Sequence, residues 1–329
     1  MYDASVRHTT TGAGVAVRAE GLGKRFGDLW ALRELDLAIP TGTVLGLLGH
    51  NGAGKTTAIR ILTTLSRPTE GAASVAGFDV TADADSVRRR IGVAAQQATV
   101  DDLLSARRNL VLVGRLHGLA KVEATRKADE LLGQFDLEDA ADRLAKNLSG
   151  GMRRRLDLAA SLVAEPTVLF LDEPTTGLDP RSRNDLWDVL RGLTRTGTTI
   201  LLTTQYLEEA DKLADDVIVL DHGRTVAHGT PDALKAQIGG DRVDVSVRSA
   251  GELAGVVAST ERFASQAATV DEDALVVTVP IAAEVRLIDV MRAVDEAGID
   301  AVDLNRRQAT LDDVFLTLTS PSHAEEVLA

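Results

Sequence analysis

Gly49-His-Asn-Gly-Ala-Gly-Lys-Thr56 is the stretch that decides the fold of this chain. It follows a short apolar run, Thr43-Val-Leu-Gly-Leu-Leu48, which is long enough for a buried strand. The glycines let the backbone turn tightly and bring its N–H groups close to an anion. A helix is predicted to begin at Lys55 and to end before Pro68, and its N-terminus adds partial positive charge. The pattern predicts a phosphate-binding loop, called the phosphate loop below.

Two residues of the phosphate loop have expected chemical roles. Lys55 is expected to reach the β- and γ-phosphates of a nucleotide, and the Thr56 hydroxyl is expected to ligate Mg²⁺. A chance glycine turn is the alternative, and the predicted strand and helix on either side argue against it. The predicted nucleotide-binding residues of this segment are Gly49, His50, Asn51, Gly52, Ala53, Gly54, Lys55, Thr56 and Thr57.

Two acidic residues follow a second apolar run. Val168-Leu-Phe-Leu171 predicts a buried strand, and Asp172 and Glu173 stand at its carboxyl end, where open α/β sheets bind ligands. Asp172 is expected to hold Mg²⁺, and Glu173 is expected to polarise the attacking water as general base. Adjacent acids after a strand also occur as helix N-caps. The preceding phosphate loop favours the catalytic interpretation.

A second glycine-rich element, Leu148-Ser-Gly-Gly-Met152, opens another predicted helix. Ser149 can cap this helix, and the two glycines expose backbone donors to an anion. An ordinary Ser-Gly N-cap is the alternative. The apolar stripe of the helix is Met152, Leu156, Ala159, Ala160 and Val163.

The order and spacing of these segments resemble the ATP-binding-cassette (ABC) family over about residues 15–320. The resemblance implies an α/β fold, a P-loop cassette with a mixed sheet core and a helical subdomain, with ATP and Mg²⁺ as cofactors. In that family the second glycine-rich element faces the ATP of a partner subunit, which assigns nucleotide contacts to Ser149, Gly150 and Gly151. One chain carries one copy of each element, so a homodimer is implied.

Three further site residues are carried over from the resemblance. Phe26 corresponds to an aromatic that stacks on adenine, and a core aromatic is an equal alternative. Gln96 corresponds to a glutamine that contacts Mg²⁺ and the attacking water; Gln97 is the neighbouring alternative, and the offset after Ile91-Gly92 favours Gln96. Asp179, in Gly177-Leu-Asp-Pro180, corresponds to a residue of the loop that crosses the dimer interface.

Two positions depart from the family pattern. Gln205 stands where most members have His; glutamine can donate a hydrogen bond to a γ-phosphate but carries no positive charge. Gln205 is still expected to be catalytic, together with Glu173, Lys55 and Gln96, and a subgroup resembling the daunorubicin/doxorubicin-resistance ATPases shares its Thr-Thr-Gln-Tyr run. His50 replaces the usual Pro and is expected to matter little, because this position contributes backbone.

Composition limits the possible partners. The 329 residues carry a net charge of −13, which argues against broad affinity for nucleic acid or anionic membranes, so no nucleic-acid partner is expected. The chain has 0 cysteines and no stretch approaching the ~20 apolar residues of a membrane-spanning helix. The basic runs Arg88-Arg-Arg90 and Arg153-Arg-Arg155 are expected to be solvated helix faces.

The chain is expected to divide into a cassette at 15–235 and a C-terminal accessory domain at 241–319, with a disordered tail at 1–14 and a loose tail at 320–329. Residues 99–163 are expected to form the helical subdomain.

Within the helical subdomain, Asp101-Asp-Leu-Leu-Ser105 is read as helical. The accessory domain is predicted to follow the order β-α-β-β-α-β-α, typical of a small α+β ferredoxin-like fold. Its last strand is predicted at Ile299 to Leu304. Its amphipathic helix, Val285 to Ala297, is given the apolar stripe Leu287, Ile288, Met291 and Val294.

The resemblance implies the ATP-hydrolysing subunit of an exporter, at the cytoplasmic face of the cell membrane. It would power efflux of a drug-like or lipid-like substrate through a separate integral membrane permease. The alternative is a soluble ABC ATPase that acts on ribosomes, DNA or protein complexes, but such members usually carry tandem cassettes or long coiled coils. A P-loop kinase or GTPase would leave Leu148-Ser-Gly-Gly-Met152 without a role.

Overall fold

The computed structural model describes residues 14–95, 100–237, 241–282 and 284–319. The chain folds into two compact units, Met1–His228 and Gly229–Ala329. Every helix among the described residues is too short or too polar to cross a membrane.

The first unit alternates strands and helices. Its strands are β1 (Val15–Phe26), β2 (Leu29–Pro40), β3 (Val44–Leu48), β4 (Glu70–Val75), β5 (Phe78–Asp79), β6 (Ile91–Ala94), β7 (Val168–Asp172), β8 (Thr199–Thr204), β9 (Asp216–Asp221) and β10 (Arg224–Gly229). Its α-helices are α1 (Lys55–Leu62), α2 (Ala84–Arg88), α3 (Ala106–Leu116), α4 (Lys121–Gln134), α5 (Gly150–Leu162), α6 (Pro180–Arg195) and α7 (Leu207–Leu213).

Two sheets organise this unit. The antiparallel sheet has the order β2-β1-β4-β5, and the larger sheet has the order β10-β9-β3-β8-β7-β6. From β9 to β6 the strands of the larger sheet are parallel. The carboxyl ends of β3, β7 and β8 therefore meet at one edge, which is where ligands bind in such sheets.

The larger sheet is covered on both faces. Along β7, Val168 and Phe170 join the core shared with the antiparallel sheet and α1, whereas Leu169 and Leu171 join the core of α3, α4, α5 and α6. Side chains of a strand point alternately to opposite faces, so a strand covered on both faces must be apolar throughout. This explains the continuous apolar runs that predicted β3 and β7 from the sequence.

The helical part begins later than expected. Asp101–Ser105 is a turn, not a helix, because Ser105 is the N-cap of α3 and its hydroxyl accepts from the N–H of Arg108. The Asn109 side chain closes the turn: its carbonyl accepts from the Asp101 N–H at 2.7 Å and its amide donates to the Asp101 carbonyl at 3.0 Å. Side-chain bonds of this kind compete with helical ones.

The second unit follows the predicted order β-α-β-β-α-β-α and is preceded by one more helix. The elements are α8 (Pro231–Gln237), β11 (Asp241–Ser246), α9 (Ala250–Thr260), β12 (Thr269–Asp271), β13 (Val276–Ile281), α10 (Leu287–Glu296), β14 (Asp303–Gln308) and α11 (Leu311–Thr319). The antiparallel sheet has the order β12-β13-β11-β14. The additional helix, α8, packs against α11 and buries Leu234, so the first unit ends at His228, whereas the cassette was expected to extend to residue 235. Residues 1–13 and 320–329, most of the expected tails, lie outside the described ranges.

Two predictions for this unit were wrong in position. The last strand is β14, four residues beyond the predicted start, and its Arg306 and Arg307 pair across the sheet with Asp241 and Asp244 at 2.6 and 2.7 Å. In α10, Val290 is buried, whereas the predicted stripe residues Ile288 and Met291 are exposed.

Candidate functional site

The phosphate loop connects β3 to α1, and α1 begins at Lys55 as predicted. No side chain caps this helix; Gly54 stands before it with φ of 107°. A Cβ at Gly54 would lie 2.6 Å from the Ala31 carbonyl oxygen, and one at Gly49 would lie 2.5 Å from that of Leu220. Glycine is required at both positions because neighbouring backbone lies against the loop.

The Lys55 ammonium is held inside the loop. It donates to the Gly49 carbonyl at 2.6 Å and to the His50 carbonyl at 3.3 Å, and it lies 3.4 Å from Glu173 Oε1. The side chains of Lys55 and Glu173 are only 5% and 9% exposed. A buried cation needs a partner of opposite charge or several acceptors, and this one has both. The ammonium is therefore fixed where an anion in the loop would meet it.

Asp172 receives two hydroxyl groups from neighbouring elements. The Thr56 hydroxyl donates to it at 3.0 Å from α1, and the Thr203 hydroxyl donates at 2.6 Å from β8. The sequence analysis did not identify Thr203 as a site residue. Its role follows from the pairing of β7 with β8, which places Thr203 directly opposite Asp172 in the parallel register. Asp172 ends β7 and no helix starts there, so the helix-cap alternative does not describe it.

Glu173 has an unusual backbone. Its φ is 50°, in the left-handed region that residues with a side chain rarely adopt. The Thr203 carbonyl and hydroxyl both accept from its N–H at 3.1 Å, and its Oε2 accepts from the Thr176 hydroxyl at 3.3 Å. Strain of this kind clusters at active sites, where the surrounding structure holds it.

Arg154 is the largest departure from the sequence-based expectation. The run Arg153–Arg155 was expected to be solvated, yet the Arg154 side chain is 11% exposed. Its guanidinium donates to four backbone carbonyl oxygens between 2.6 and 3.1 Å, those of Ala95, Asp172, Glu173 and Pro174. Burial lowers the pKa of Arg154, and Asp157 and Asp172 oppose that shift. Arg154 thus links α5 to the end of β7 and to the segment after β6.

The second glycine-rich element begins α5 as predicted. Ser149 is the N-cap and its hydroxyl accepts from the Met152 N–H at 3.2 Å. Ser149 and Gly150 are exposed, and no hydrogen bond among the described residues joins them to the phosphate loop. Asp179 caps α6: its carboxylate accepts from the Ser182 N–H at 3.0 Å and from the Ser182 hydroxyl at 2.7 Å. These two hydrogen bonds lower the pKa of Asp179.

The remaining predicted residues have different outcomes. Phe26 ends β1 and is 56% exposed, so it is not a core aromatic; the Lys24 ammonium lies 5.2 Å from the centroid of its ring. Gln205 is exposed directly after β8, at the same sheet edge as Asp172. Gln96 lies outside the described residues.

Glu209, four residues after Gln205, is a buried carboxylate on α7. It is 0% exposed, and neither of its oxygens has a hydrogen-bond partner among the described residues. The Thr204 and Thr175 hydroxyls and the Trp187 indole N–H stand beside it, but none of them reaches hydrogen-bonding geometry. Burial raises the pKa of Glu209, because the charged form loses its hydration.

Comparison with known proteins agrees with this geometry. A family model described as ABC transporter matches residues 32–176. A daunorubicin resistance ATP-binding protein of Streptomyces coeruleorubidus is 53% identical over 308 residues, covering 93% of this chain and 96% of that relative. The chain belongs to the ABC transporter family. It binds and hydrolyses ATP as this family does.

Two further similarities support the family assignment. The daunorubicin/doxorubicin resistance ATP-binding protein of Streptomyces peucetius is 48% identical over 312 residues, 92% of either chain. A dimeric ATP-binding cassette solved in a post-hydrolysis state with ADP and Pi is 27% identical with a TM-score of 0.60, covering 65% of this chain and 98% of that one.

The Arg154 contacts lead to a prediction for this ABC ATPase. Arg154→Lys should reduce kcat for ATP by about tenfold or more while nucleotide affinity changes little, because a lysine cannot donate to four carbonyls and would hold the backbone of Asp172 and Glu173 less firmly. The measurement is steady-state hydrolysis beside equilibrium nucleotide binding. Arg153→Lys on the same helix is the control, since Arg153 is more exposed and pairs with Asp102. Equal rates in the two variants would contradict a positioning role.

Glu209 leads to a prediction about pH. Its folded pKa lies above the ordinary value of 4.5, so the wild-type protein loses stability as pH rises from about 4.5 through the raised pKa. Glu209→Gln should therefore increase the free energy of unfolding at neutral pH, and the gain should vanish in acid. Urea unfolding across a pH series measures this.

Glu208 is the matched control for that experiment. It is exposed, and its hydrogen bond to Lys212 lowers its pKa, so its contribution to stability is present above the unfolded pKa. Glu208→Gln should bring no gain at neutral pH. An equal gain in both variants would show that net charge, not burial, is the cause.

Proposed function

We propose that this chain is the nucleotide-binding subunit of an exporter and that its ATP hydrolysis powers efflux through a separate membrane permease. In this proposal two copies form a dimer at the cytoplasmic face of the membrane, and Mg²⁺ accompanies ATP. The observation that carries the proposal is the single sheet edge at which Lys55, Thr56, Asp172 and Glu173 are in contact.

The donor set at this edge fits Mg²⁺. The Thr56 hydroxyl and the Asp172 carboxylate offer oxygen ligands 3.0 Å apart, and Mg²⁺ prefers oxygen and few carboxylates. Thr203 holds the carboxylate in place through its own hydroxyl. Thr56 and Asp172 would hold the ion, which supplies positive charge to the β- and γ-phosphates.

Glu173 is proposed as the general base. Its carboxylate contacts the Lys55 ammonium, and a γ-phosphate would compete for the same ammonium. Phosphate binding would thereby release the Glu173 carboxylate to accept a proton from water, while Lys55 turns to the phosphate. The positive φ of Glu173 sets the direction in which its side chain leaves the backbone. Gln205, exposed at the same edge, is proposed to donate a hydrogen bond to the γ-phosphate.

A homodimer is proposed because the second glycine-rich element lies exposed at the start of α5 and, among the described residues, forms no hydrogen bond with the phosphate loop of its own chain. The N-terminus of α5 presents Ser149 and Gly150 outward, and a Cβ at Gly150 would meet nothing within 4 Å. Helix N-termini with exposed N–H groups bind anions. The solved relative bound to ADP and Pi is dimeric, which supports the same arrangement here.

A membrane partner is proposed because the helical subdomain exposes large apolar side chains. Leu103, Leu112 and Leu116 are 72%, 43% and 77% exposed, and the last two lie one turn apart on α3. Large exposed apolar side chains on one part of a protein mark an interaction surface. For cargo, the relatives named above are resistance proteins for daunorubicin and doxorubicin, so we propose a drug-like or lipid-like molecule.

Glu173→Gln tests the general-base assignment. The variant should bind ATP as well as the wild type, because Lys55 loses its competing carboxylate, but turnover should fall by about a hundredfold or more. ATP should then hold it as a dimer, measured by light scattering. The control is Glu165→Gln, an exposed glutamate that also has a positive φ (51°) and pairs with Lys127. Hydrolysis at the wild-type rate in Glu173→Gln would overturn the assignment.

Purification from the native cell tests the exporter proposal. The tagged protein should co-purify, from membranes in mild detergent, with a stoichiometric polytopic membrane protein. Leu112→Ser with Leu116→Ser should reduce the recovery of that protein while ATP hydrolysis by the isolated subunit stays unchanged. Recovery of ribosomal or DNA-associated proteins instead, with none from membranes, would favour a soluble ABC ATPase.

A further inference from the structure

Two histidines and an aspartate meet beside the phosphate loop. His50 belongs to the loop, and Asp221 and His222 lie where β9 turns into β10. His50 Nε2 is 2.8 Å from Asp221 Oδ1, and His222 Nε2 is 3.9 Å from the same oxygen. One ligand atom from each residue lies within 4.8 Å of the other two.

The hydrogen bonds of His50 define the state of its ring. Its Nδ1 lies 2.7 Å from the Asn51 carbonyl oxygen, which can only accept, so Nδ1 carries a proton. In the neutral ring Nε2 then has a free lone pair, and it faces the Asp221 carboxylate, a second acceptor. Two acceptors at this distance need a proton or a metal ion between them. A backbone carbonyl that receives the second ring N–H is the usual partner of a metal-binding histidine.

We propose that His50, Asp221 and His222 form a site for a divalent transition-metal ion, with Zn²⁺ as the reference ion. Two imidazole nitrogens and one carboxylate suit Zn²⁺, Co²⁺, Ni²⁺ or Cu²⁺, whereas Mg²⁺ prefers oxygen ligands alone. Three protein ligands leave the fourth tetrahedral position for water. The ring centroids of His50 and His222 are 5.2 Å apart, so small side-chain rotations bring both nitrogens to one ion.

The surroundings allow an ion to enter and to have an effect. The side chains of His50 and His222 are 40% and 85% exposed, so the site is open to solvent. The loop and the turn already adjoin, since the Gly223 N–H donates to the Ala53 carbonyl at 3.0 Å. An ion would add a second link between them, and the His50 carbonyl also accepts from Lys55. The site therefore acts as a clip on the phosphate loop.

A charged histidine–aspartate pair without metal is the competing explanation, and the chain contains such a pair for comparison. His228 Nε2 lies 2.7 Å from Asp216 Oδ2, and that hydrogen bond raises the pKa of His228. No third ligand among the described residues joins His228 and Asp216 in a metal-holding group. His222 is what distinguishes the two places.

The experiment uses the untagged full chain, freed of metal by a chelator and without nucleotide. Titration with Co²⁺ should produce the visible absorption of a tetrahedral ion at one equivalent per chain, and Zn²⁺ should displace it. His222→Asn, which suits the left-handed backbone of that residue (φ 45°), and Asp221→Asn should each weaken Zn²⁺ binding by about tenfold or more. His228→Asn should bind as the wild type does.

Thermal unfolding provides a second measurement. Zn²⁺ should raise the midpoint of the wild-type protein and of His228→Asn, but not that of His222→Asn, because an ion that binds only the folded state stabilises it. Wild-type affinity in both His222→Asn and Asp221→Asn would overturn the proposal. So would the absence of saturable Zn²⁺ binding to the wild-type chain, which would leave a charged His50–Asp221 pair as the explanation.

Discussion

The parallel register of β3, β8 and β7 is the constraint on which the proposed ATP site at their carboxyl ends depends. Asp172 lies opposite Thr203, and Leu48 lies opposite Thr204. The phosphate loop follows the end of β3, Asp172 and Glu173 stand at the end of β7, and Gln205 follows the end of β8. Because the three strands are parallel, all of these residues lie at one edge of the sheet. A slip of one residue would turn Asp172 toward the other face of the sheet and break its bonds to Thr56 and Thr203.

Arg154 extends this constraint beyond the sheet. A guanidinium with five N–H donors can bond several carbonyls at once, and here it donates to the backbone carbonyls of Asp172, Glu173 and Pro174. Its fourth acceptor, Ala95, directly precedes Gln96. Helix α5, which Ser149 caps, is thereby connected to Glu173, the proposed general base, and to Ala95 through one side chain. In the proposed dimer, the ATP of one subunit could act on the other through this connection.

The sequence predicted those parts of the site that are formed by residues close together along the chain. Strand, glycine loop and helix follow one another at residues 43–62, and the Ser149 cap needs only residues nearby. Arg154 was missed because its acceptors are carbonyls distant in sequence, which leave no trace in residue type. The same applies to β14, whose arginines are balanced by Asp241 and Asp244 on another strand. Charge that is paired across strands reads, in sequence alone, as solvent-exposed charge.

Gln205 changes how the site can balance the charge of ATP. A histidine there could carry a positive charge, whereas a glutamine contributes only a dipole. Among the described residues, Lys55 is the cation in contact with Glu173, and the N-terminus of α1 adds partial charge. In the proposed dimer, further neutralisation would come from Mg²⁺ and from the N-terminus of the partner's α5. With no charge at position 205, hydrolysis in the proposed dimer would depend more strongly on dimer closure, because closure would bring that second helix N-terminus to the γ-phosphate.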